Sequence, residues 1–503
     1  MLRLQERSLV TADKMVPPVG ESDAAAPSPV PVRTHRFRDY LSVAILFYIN
    51  LINYMDRYTI AGVLDGVITH YSLSHSMGGL LQTVFVVTYM VAAPVFGYLG
   101  DRYSRRIIMA LGVAFWSATT LLGSLPPQQF GWFAVLRALV GVGEASYSTV
   151  APTVIGDLFA GPMRTRMLAV FYFAIPVGSG LGYIVGSSVA SAMGAWYWAL
   201  RVTPALGLVA VLLILFVLRE PLRGASDGGS NLGPSLLRHD LYSLARNRSY
   251  IWSTLGFTCV TFATGAMSWW APTYMVNAIN LYLTTGTADE RKVNTIFGGI
   301  TTLAGIVGVT VGSTLSARLR RRSVKADALI CAGGMVTSVP LLFLGSVFAY
   351  KVPDVTWVLF FFGITSICLN WSIVADILLY TVVPTRRATG AAFQILCSHL
   401  LGDASSPYIV GLLYDAILAG RKDDSSLLFS LQYALYVPIC VLVLGSLFFF
   451  ILSWYIEADR NTCAQETHDL IFGSSSHDGG ADDCSCVVPL LGGRVLRRKE
   501  RLH

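Results

Sequence analysis

Long apolar runs separated by short polar loops fill the chain from about residue 39 to about residue 456. They cover roughly 39–64, 76–99, 107–126, 131–158, 165–192, 197–218, 250–276, 294–317, 327–349, 355–381, 388–418 and 427–456. Each reaches the ~20 residues a helix needs to cross a hydrocarbon core. Apolar positions within a run are continuous, not alternating, which argues against a membrane barrel. The pattern predicts an all-α membrane protein of about twelve spanning helices. Residues 1–38 are polar and rich in Pro, Ala and Ser. They read as a disordered N-terminal tail without the apolar core of a signal peptide. Residues 458–503 read as a second disordered tail.

The loops carry the topology. With the N-terminus placed in the cytosol, the five cytosolic loops hold 17 Lys or Arg and the six opposite loops hold five. Basic residues stay on the cytosolic side of a membrane, so both tails are expected there. The longest cytosolic loop, 219–249, is glycine-rich. It splits the helices into an N-terminal half, 39–218, and a C-terminal half, 250–457. The halves echo each other. GYLGDRYSRR at 97–106 is echoed by GSTLSARLRRR at 312–322, and GPMRTR at 161–166 by VPTRRA at 383–388.

Composition narrows the function. Of 503 residues, 54% are hydrophobic and 13% charged, and the mean hydropathy is +0.57. A soluble enzyme cannot bury that much apolar surface. The net charge of +7 sits in loops between apolar runs, as topology demands, and is no sign of nucleic-acid binding. The eight cysteines form no CxxC pair, and no HExxH or GxSxG appears. The glycine-rich GSGLGYIVG at 178–186 lies within an apolar run with no strand before it. It reads as a helix-packing stripe, not a nucleotide loop. No Walker A loop is present, and the sequence calls for no cofactor, no metal and no enzymatic activity.

Four charges lie at membrane depth: Asp56 and Arg57 in the first run, Arg137 and Glu144 in the fourth. Arg137 and Glu144 are two helical turns apart and share a face. Such charges persist by pairing or by lining a water-filled cavity. Burial favours a protonated carboxyl group, and a nearby guanidinium favours the carboxylate. A carboxylate that exchanged arginine partners between two conformations would bind and release a proton. The static alternative is an ion pair that only holds helices together. Arg201, Tyr147, Asn370, His399 and Asp403 are further polar candidates for a cavity wall, with His399 able to titrate at acidic pH.

Gly97, Asp101, Arg102, Arg105 and Arg106 resemble the loop motif between the second and third helices of the major facilitator superfamily. That resemblance implies two parallel six-helix halves, with the first and fourth helices lining a central cavity. Asp56 and Glu144 should then approach each other with Arg57 or Arg137 between them. Gly97 is expected to let two helices approach closely. Asp101 is expected to face helix N-termini or an arginine across the halves, and the arginines to set topology.

More specifically, NYMDRYTIAGVL (53–64), ALVGVGEASYSTVAPTVIGDLF (138–159), WALRVTP (198–204) and VVPTRRATGAAFQILCSHLLGDASSPY (382–408) resemble the spinster family. The resemblance runs over roughly 40–460. It implies a proton-coupled secondary transporter of late endosomes and lysosomes that moves lysophosphatidylcholine and lysophosphatidylethanolamine toward the cytosol. Its alternatives are a sphingolipid such as sphingosine-1-phosphate or, further off, a sugar or organic anion. It also implies a role in coupling and headgroup contact for Asp56, Arg57 and Glu144. Charge matching places the lipid phosphate on Arg57 or Arg201 and a headgroup cation on Glu144. In the C-terminal tail, Glu466, Leu470 and Ile471 have the spacing of an acidic dileucine sorting signal, which would fit adaptor binding.

Overall fold

The computed structural model describes residues 37–125, 129–159, 161–221, 237–283, 287–383, 386–421 and 423–472. Among the described residues there is no strand. The first membrane helix is α1 (Phe37–Thr59), continued by a 3-10 turn and α2 (Leu64–Tyr71). Next come α3 (His75–Arg102), α4 (Arg105–Gly123), α5 (Phe130–Leu158) and α6 (Gly161–Met193). A 3-10 segment, Trp196–Arg201, leads into α7 (Val202–Phe216) and ends the first half. A short helix, α8 (Leu237–Arg246), lies within the expected linker, whose glycine-rich stretch 222–236 falls outside the described residues.

The second half holds α9 (Arg248–Tyr282), α10 (Glu290–Leu319) and α11 (Ala326–Phe348). α12 (Pro353–Cys368) runs into α13 (Asn370–Thr381). α14 (Arg387–Ser398) joins α15 (Ser406–Leu418) through a π turn at His399–Asp403, and α16 (Asp424–Phe472) closes the chain. The paired pieces count as single rods, so twelve rods of spanning length result, six in each half.

Eight of the rods are long and apolar enough to cross a membrane on length and composition alone. The others are α1, α5, α9 and the α14–α15 pair. The first two carry the charges at membrane depth, and the last is split into two short helices by its π turn. The segments with the weakest apolar signal thus include those carrying the most chemistry.

The final helix corrects one expectation. The chain past residue 457 does not leave the helix but continues it to Phe472. Local contacts hold it. Asp459 Oδ2 accepts from the backbone N–H of Ser249 at 2.7 Å, and Glu466 lies 3.7 Å from Arg386. Cys463 is buried there, so the thiol is packed away from the lipid surface.

The halves meet along two seams, α3 with α15 and α6 with α10. Thr83 Oγ1 donates to the Ala404 carbonyl at 2.5 Å, and Thr302 Oγ1 to that of Pro176 at 3.1 Å. Tyr183 hydrogen-bonds the Ser268 carbonyl and sets its ring edge-on to Phe297. Thr273 Oγ1 donates to Asp65 at 3.1 Å. Thr302 and Pro176 lie near the middle of α10 and α6, whereas Tyr183, Asp65 and Thr273 lie further toward the end opposite the basic loops, so the halves are joined from mid-bundle toward that end.

Candidate functional site

The site begins with a stripe of glycines. Gly178, Gly182 and Gly186 recur every four residues on α6 and seat it against α1. A Cβ at Gly178 would lie 2.6 Å from the Leu51 carbonyl oxygen, and one at Gly182 would lie 2.7 Å from that of Met55. Side chains larger than hydrogen would push the helices apart. This close seat fixes the part of α1 that carries Asp56 and Arg57.

The four charges form two crossed pairs. Arg57 Nη2 lies 3.1 Å from Glu144 Oε2, joining α1 to α5. Arg137 Nη1 lies 3.6 Å from Asp56 Oδ2, joining the same helices in the other direction. Arg137 Nη2 also donates to the Arg57 carbonyl at 3.1 Å. Thr203 of α7 hydrogen-bonds Asp56 Oδ1, and Thr120 of α4 approaches Oδ2 at 3.4 Å. All four charged side chains are buried, Glu144 completely.

Aromatic faces pack around the cations. The Phe85 ring lies 4.9 Å from the Arg57 guanidinium and 4.4 Å from that of Arg137. Tyr54 and Tyr89 add further faces to Arg57 at 4.8 and 5.2 Å. Cation–π contact compensates part of the lost hydration. Among the described residues, Glu144 Oε1 and the Nε atoms of Arg57 and Arg137 have no hydrogen-bond partner. The layer is paired in charge but keeps unused hydrogen-bonding capacity.

The expectation that an arginine stands between Asp56 and Glu144 takes a sharper form here, since each carboxylate has its own arginine. The sequence analysis did not single out Thr120, Thr203 or Phe85. Their only signal was a polar residue in an apolar run, or an ordinary aromatic in one, and neither stands out from packing residues.

Other candidates lie elsewhere. Tyr147 is fully buried with its hydroxyl on the Leu46 carbonyl, so it packs α5 on α1 and lines no cavity. Arg201 bonds the hydroxyl and carbonyl of Ser124 at 3.2 Å and lies over the Trp198 ring at 3.9 Å. Its guanidinium therefore serves the 3-10 segment at the end of α4 and does not join Arg57. Asn370 is buried at the junction of α12 and α13, donating to the Ile367 carbonyl at 2.9 Å. His399 and Asp403 pair with each other along the π turn at 3.0 Å, half-buried.

In the loop motif, Arg105 bonds Asp157 of α5, and its backbone N–H donates to Glu220 at 2.8 Å. Arg106 bonds the Leu215 carbonyl, and Arg102 stacks 4.2 Å over Tyr98. Gly97 departs from expectation. A Cβ there would meet nothing within 4 Å, whereas one at Gly100 would lie 2.9 Å from Val150 Cγ2. The close approach falls on Gly100 because that residue, nearly one turn further on, faces α5. The Asp101 side chain, and the role expected for it, lie outside the described residues. So do the side chains of Leu470 and Ile471, although α16 runs through both.

Two charge-bearing helices within one six-helix half, with a second six-helix half joined to it along α3–α15 and α6–α10, have the layout of a membrane transporter of the major facilitator type. The Major Facilitator Superfamily profile matches residues 46–407, and the chain belongs to that superfamily. Within it the chain belongs to the spinster family. It is 48% identical over 465 residues to human protein spinster homolog 1, spanning 90% of this chain and 87% of that one. It is 51% identical over 431 residues to the Xenopus laevis homolog 1, spanning 84% of this chain and 82% of that one. It is 55% identical over 379 residues to Drosophila melanogaster protein spinster, spanning 75% of this chain and 62% of that one.

The fold resembles the crystal structure of a bacterial homolog to human lysosomal transporter spinster, in an inward-facing and unoccupied conformation. The TM-score is 0.75 at 18% identity, covering 85% of this chain and 99% of that one. A D-xylose–proton symporter shares the fold at a TM-score of 0.62 and 16% identity, covering 82% of this chain and 97% of that one.

Proposed function

We propose that this protein is a proton-coupled lysolipid transporter, moving lysophosphatidylcholine and lysophosphatidylethanolamine from late endosomes or lysosomes to the cytosol by alternating access. Both termini are cytosolic in this reading, and the C-terminal segment carries an adaptor-binding signal. The observation that carries the coupling is the pair of crossed ion pairs between α1 and α5. An isolated buried charge is costly, and two charges stay buried only while paired. A rotation that separated α1 from α5 would leave Asp56 or Glu144 without its arginine. Protonation is the cheapest way to neutralise that carboxylate. The unused atoms of Glu144 and the two guanidiniums can then re-pair or take a lipid headgroup, with Arg57 matching phosphate and Glu144 an ammonium. The lipid is the substrate that the spinster resemblance implies, and the structural likeness to a bacterial homolog of the human lysosomal transporter spinster supports the compartment.

The test is uptake of labelled lysophosphatidylcholine and sphingosine-1-phosphate into proteoliposomes under an imposed pH gradient. Asp56→Asn and Glu144→Gln are compared with wild type. Gradient-driven lysolipid transport that falls at least tenfold in both variants is expected. Transport of sphingosine-1-phosphate alone would move the substrate to a phosphosphingolipid. Unchanged gradient-driven transport in both variants would remove the two carboxylates as the proton switch.

A further inference from the structure

At the end of the bundle away from the basic loops, a carboxylate of one half caps a helix of the other. Asp415, on α15 of the C-terminal half, lies against the first turn of α3 in the N-terminal half. Its Oδ1 accepts from the backbone N–H of His75 at 2.9 Å, and its Oδ2 from that of Ser76 at 2.7 Å. The imidazole Nδ1 of His75 also lies 2.8 Å from Oδ1. The first N–H groups of a helix have no partner within it, and a negative charge there meets the positive end of the helix dipole. Ser74, the cap that α3 carries itself, makes only a long bond to the Met77 N–H, at 3.4 Å. The stronger cap comes from the other half of the protein.

The surroundings fit this contact closely. The His75 ring lies 3.9 Å from the Tyr414 ring, centroid to centroid. Trp270 Nε1 donates to the Pro407 carbonyl at 2.9 Å and sets its ring edge-on to Tyr414. A Cβ at Gly411 would lie 2.8 Å from the His75 carbonyl oxygen, so the backbones of α15 and α3 cross in direct contact.

We propose that Asp415 is the latch of this end of the transporter. It caps α3 across the halves while this end is shut, and it releases that cap whenever the end opens. Two backbone bonds and one side-chain bond converge on one carboxylate, so they break together. Water then satisfies the freed N–H donors and the carboxylate oxygens, which keeps the step reversible. The inference needs only the two-half fold and depends on neither the substrate nor proton coupling.

The test is a distance measurement between spin labels at Thr69 and Asp424, both exposed at this end. It is made on full-length protein in nanodiscs without substrate. Asp415→Asn keeps the size of the side chain but turns an N–H toward one of the two backbone donors. His75→Pro removes the backbone N–H and the imidazole together, at the first helical position, where proline is tolerated. Both variants are expected to raise the ratio of long to short distances by about tenfold, the scale of one charge-assisted hydrogen bond. Wild-type distance distributions in both variants would overturn the latch, provided each is monodisperse with unchanged thermal unfolding. So would a shift in Asp415→Asn with none in His75→Pro, since the charge would then act elsewhere than on α3. If Asp415→Asn fails to fold, His75→Pro decides alone.

Discussion

The two halves share a clamp and differ at their centres. In the N-terminal half, Arg105 at the start of α4 pairs with Asp157 near the end of α5. In the C-terminal half, Arg320 just past α10 pairs with Asp376 of α13 at 2.7 Å and with Asp327 of α11 at 2.7 Å. The arginines and their distant aspartates recur at nearly the same spacing as the echoed loop sequences. The internal repeat therefore carries the clamp with it. The centres do not repeat. The N-terminal half buries Asp56, Arg57, Arg137 and Glu144, while α9, the first helix of the C-terminal half, buries Trp269, Trp270, Tyr274 and Met275 instead. A feature present in both halves answers a need common to both, here holding loop ends together at the membrane edge. A costly buried charge layer present in one half answers a need of its own.

The largest effect that would break this contrast comes from the central layer. Arg137→Met leaves Asp56 buried beside Thr120 and Thr203 without its cation. The loss should be about 3–5 kcal/mol, because an unpaired buried charge keeps its desolvation cost. Thermal unfolding in detergent measures it, and Arg137→Met combined with Asp56→Asn should recover most of the loss. A single variant as stable as wild type would show that the charges are hydrated and the layer is no buried network.

A smaller effect tests the seat beneath the layer. Gly182→Ala places a methyl 2.7 Å from the Met55 carbonyl oxygen, so α1 and α6 must part. Overpacking costs about 1–3 kcal/mol, offset by the better helix propensity of alanine, for a net loss of about 1–2 kcal/mol. The substitution Gly97→Ala, with nothing within 4 Å of the added methyl, should be neutral or slightly stabilising in the same measurement.

The smallest effects compare the clamps. Arg105 and Asp157 are more buried than Arg320 and Asp376. Asp157→Ala should therefore cost more than Asp376→Ala, with the latter about 1 kcal/mol or less because solvent screens the Asp376 contact and Arg320 keeps Asp327 as a partner. Chemical denaturation of the two variants reads the difference. The reverse order would mean that exposure does not set the weight of the two clamps.

Much of the architecture was legible because bilayers impose length and hydropathy on every spanning segment. The helical rods follow from that constraint. So do the four charges at membrane depth, since a charge in an apolar run has few reasons to be there. The glycine stripe on α6 was readable as a packing surface from its spacing, though its partner was not. The continuation of α16 past residue 457 was hidden, because that stretch is polar and becomes helical through Asp459 and Glu466 docking on distant residues.

The sequence by itself determined the elements and the inventory of costly groups: which segments cross, which end of each loop is basic, and that Asp56, Arg57, Arg137 and Glu144 need partners. Only the tertiary structure decided who partners whom. It crossed the pairs so that Arg57 holds Glu144 and Arg137 holds Asp56. It turned Tyr147 and Arg201 away into packing and loop bonds, moved the close approach from Gly97 to Gly100, and brought Asp415 onto a helix end 340 residues earlier in the chain. Periodicity and hydropathy are properties of neighbours along the chain, set by the backbone and the membrane. Pairing depends on rotation and depth between helices far apart in sequence, which are fixed only when the side chains of both halves pack together.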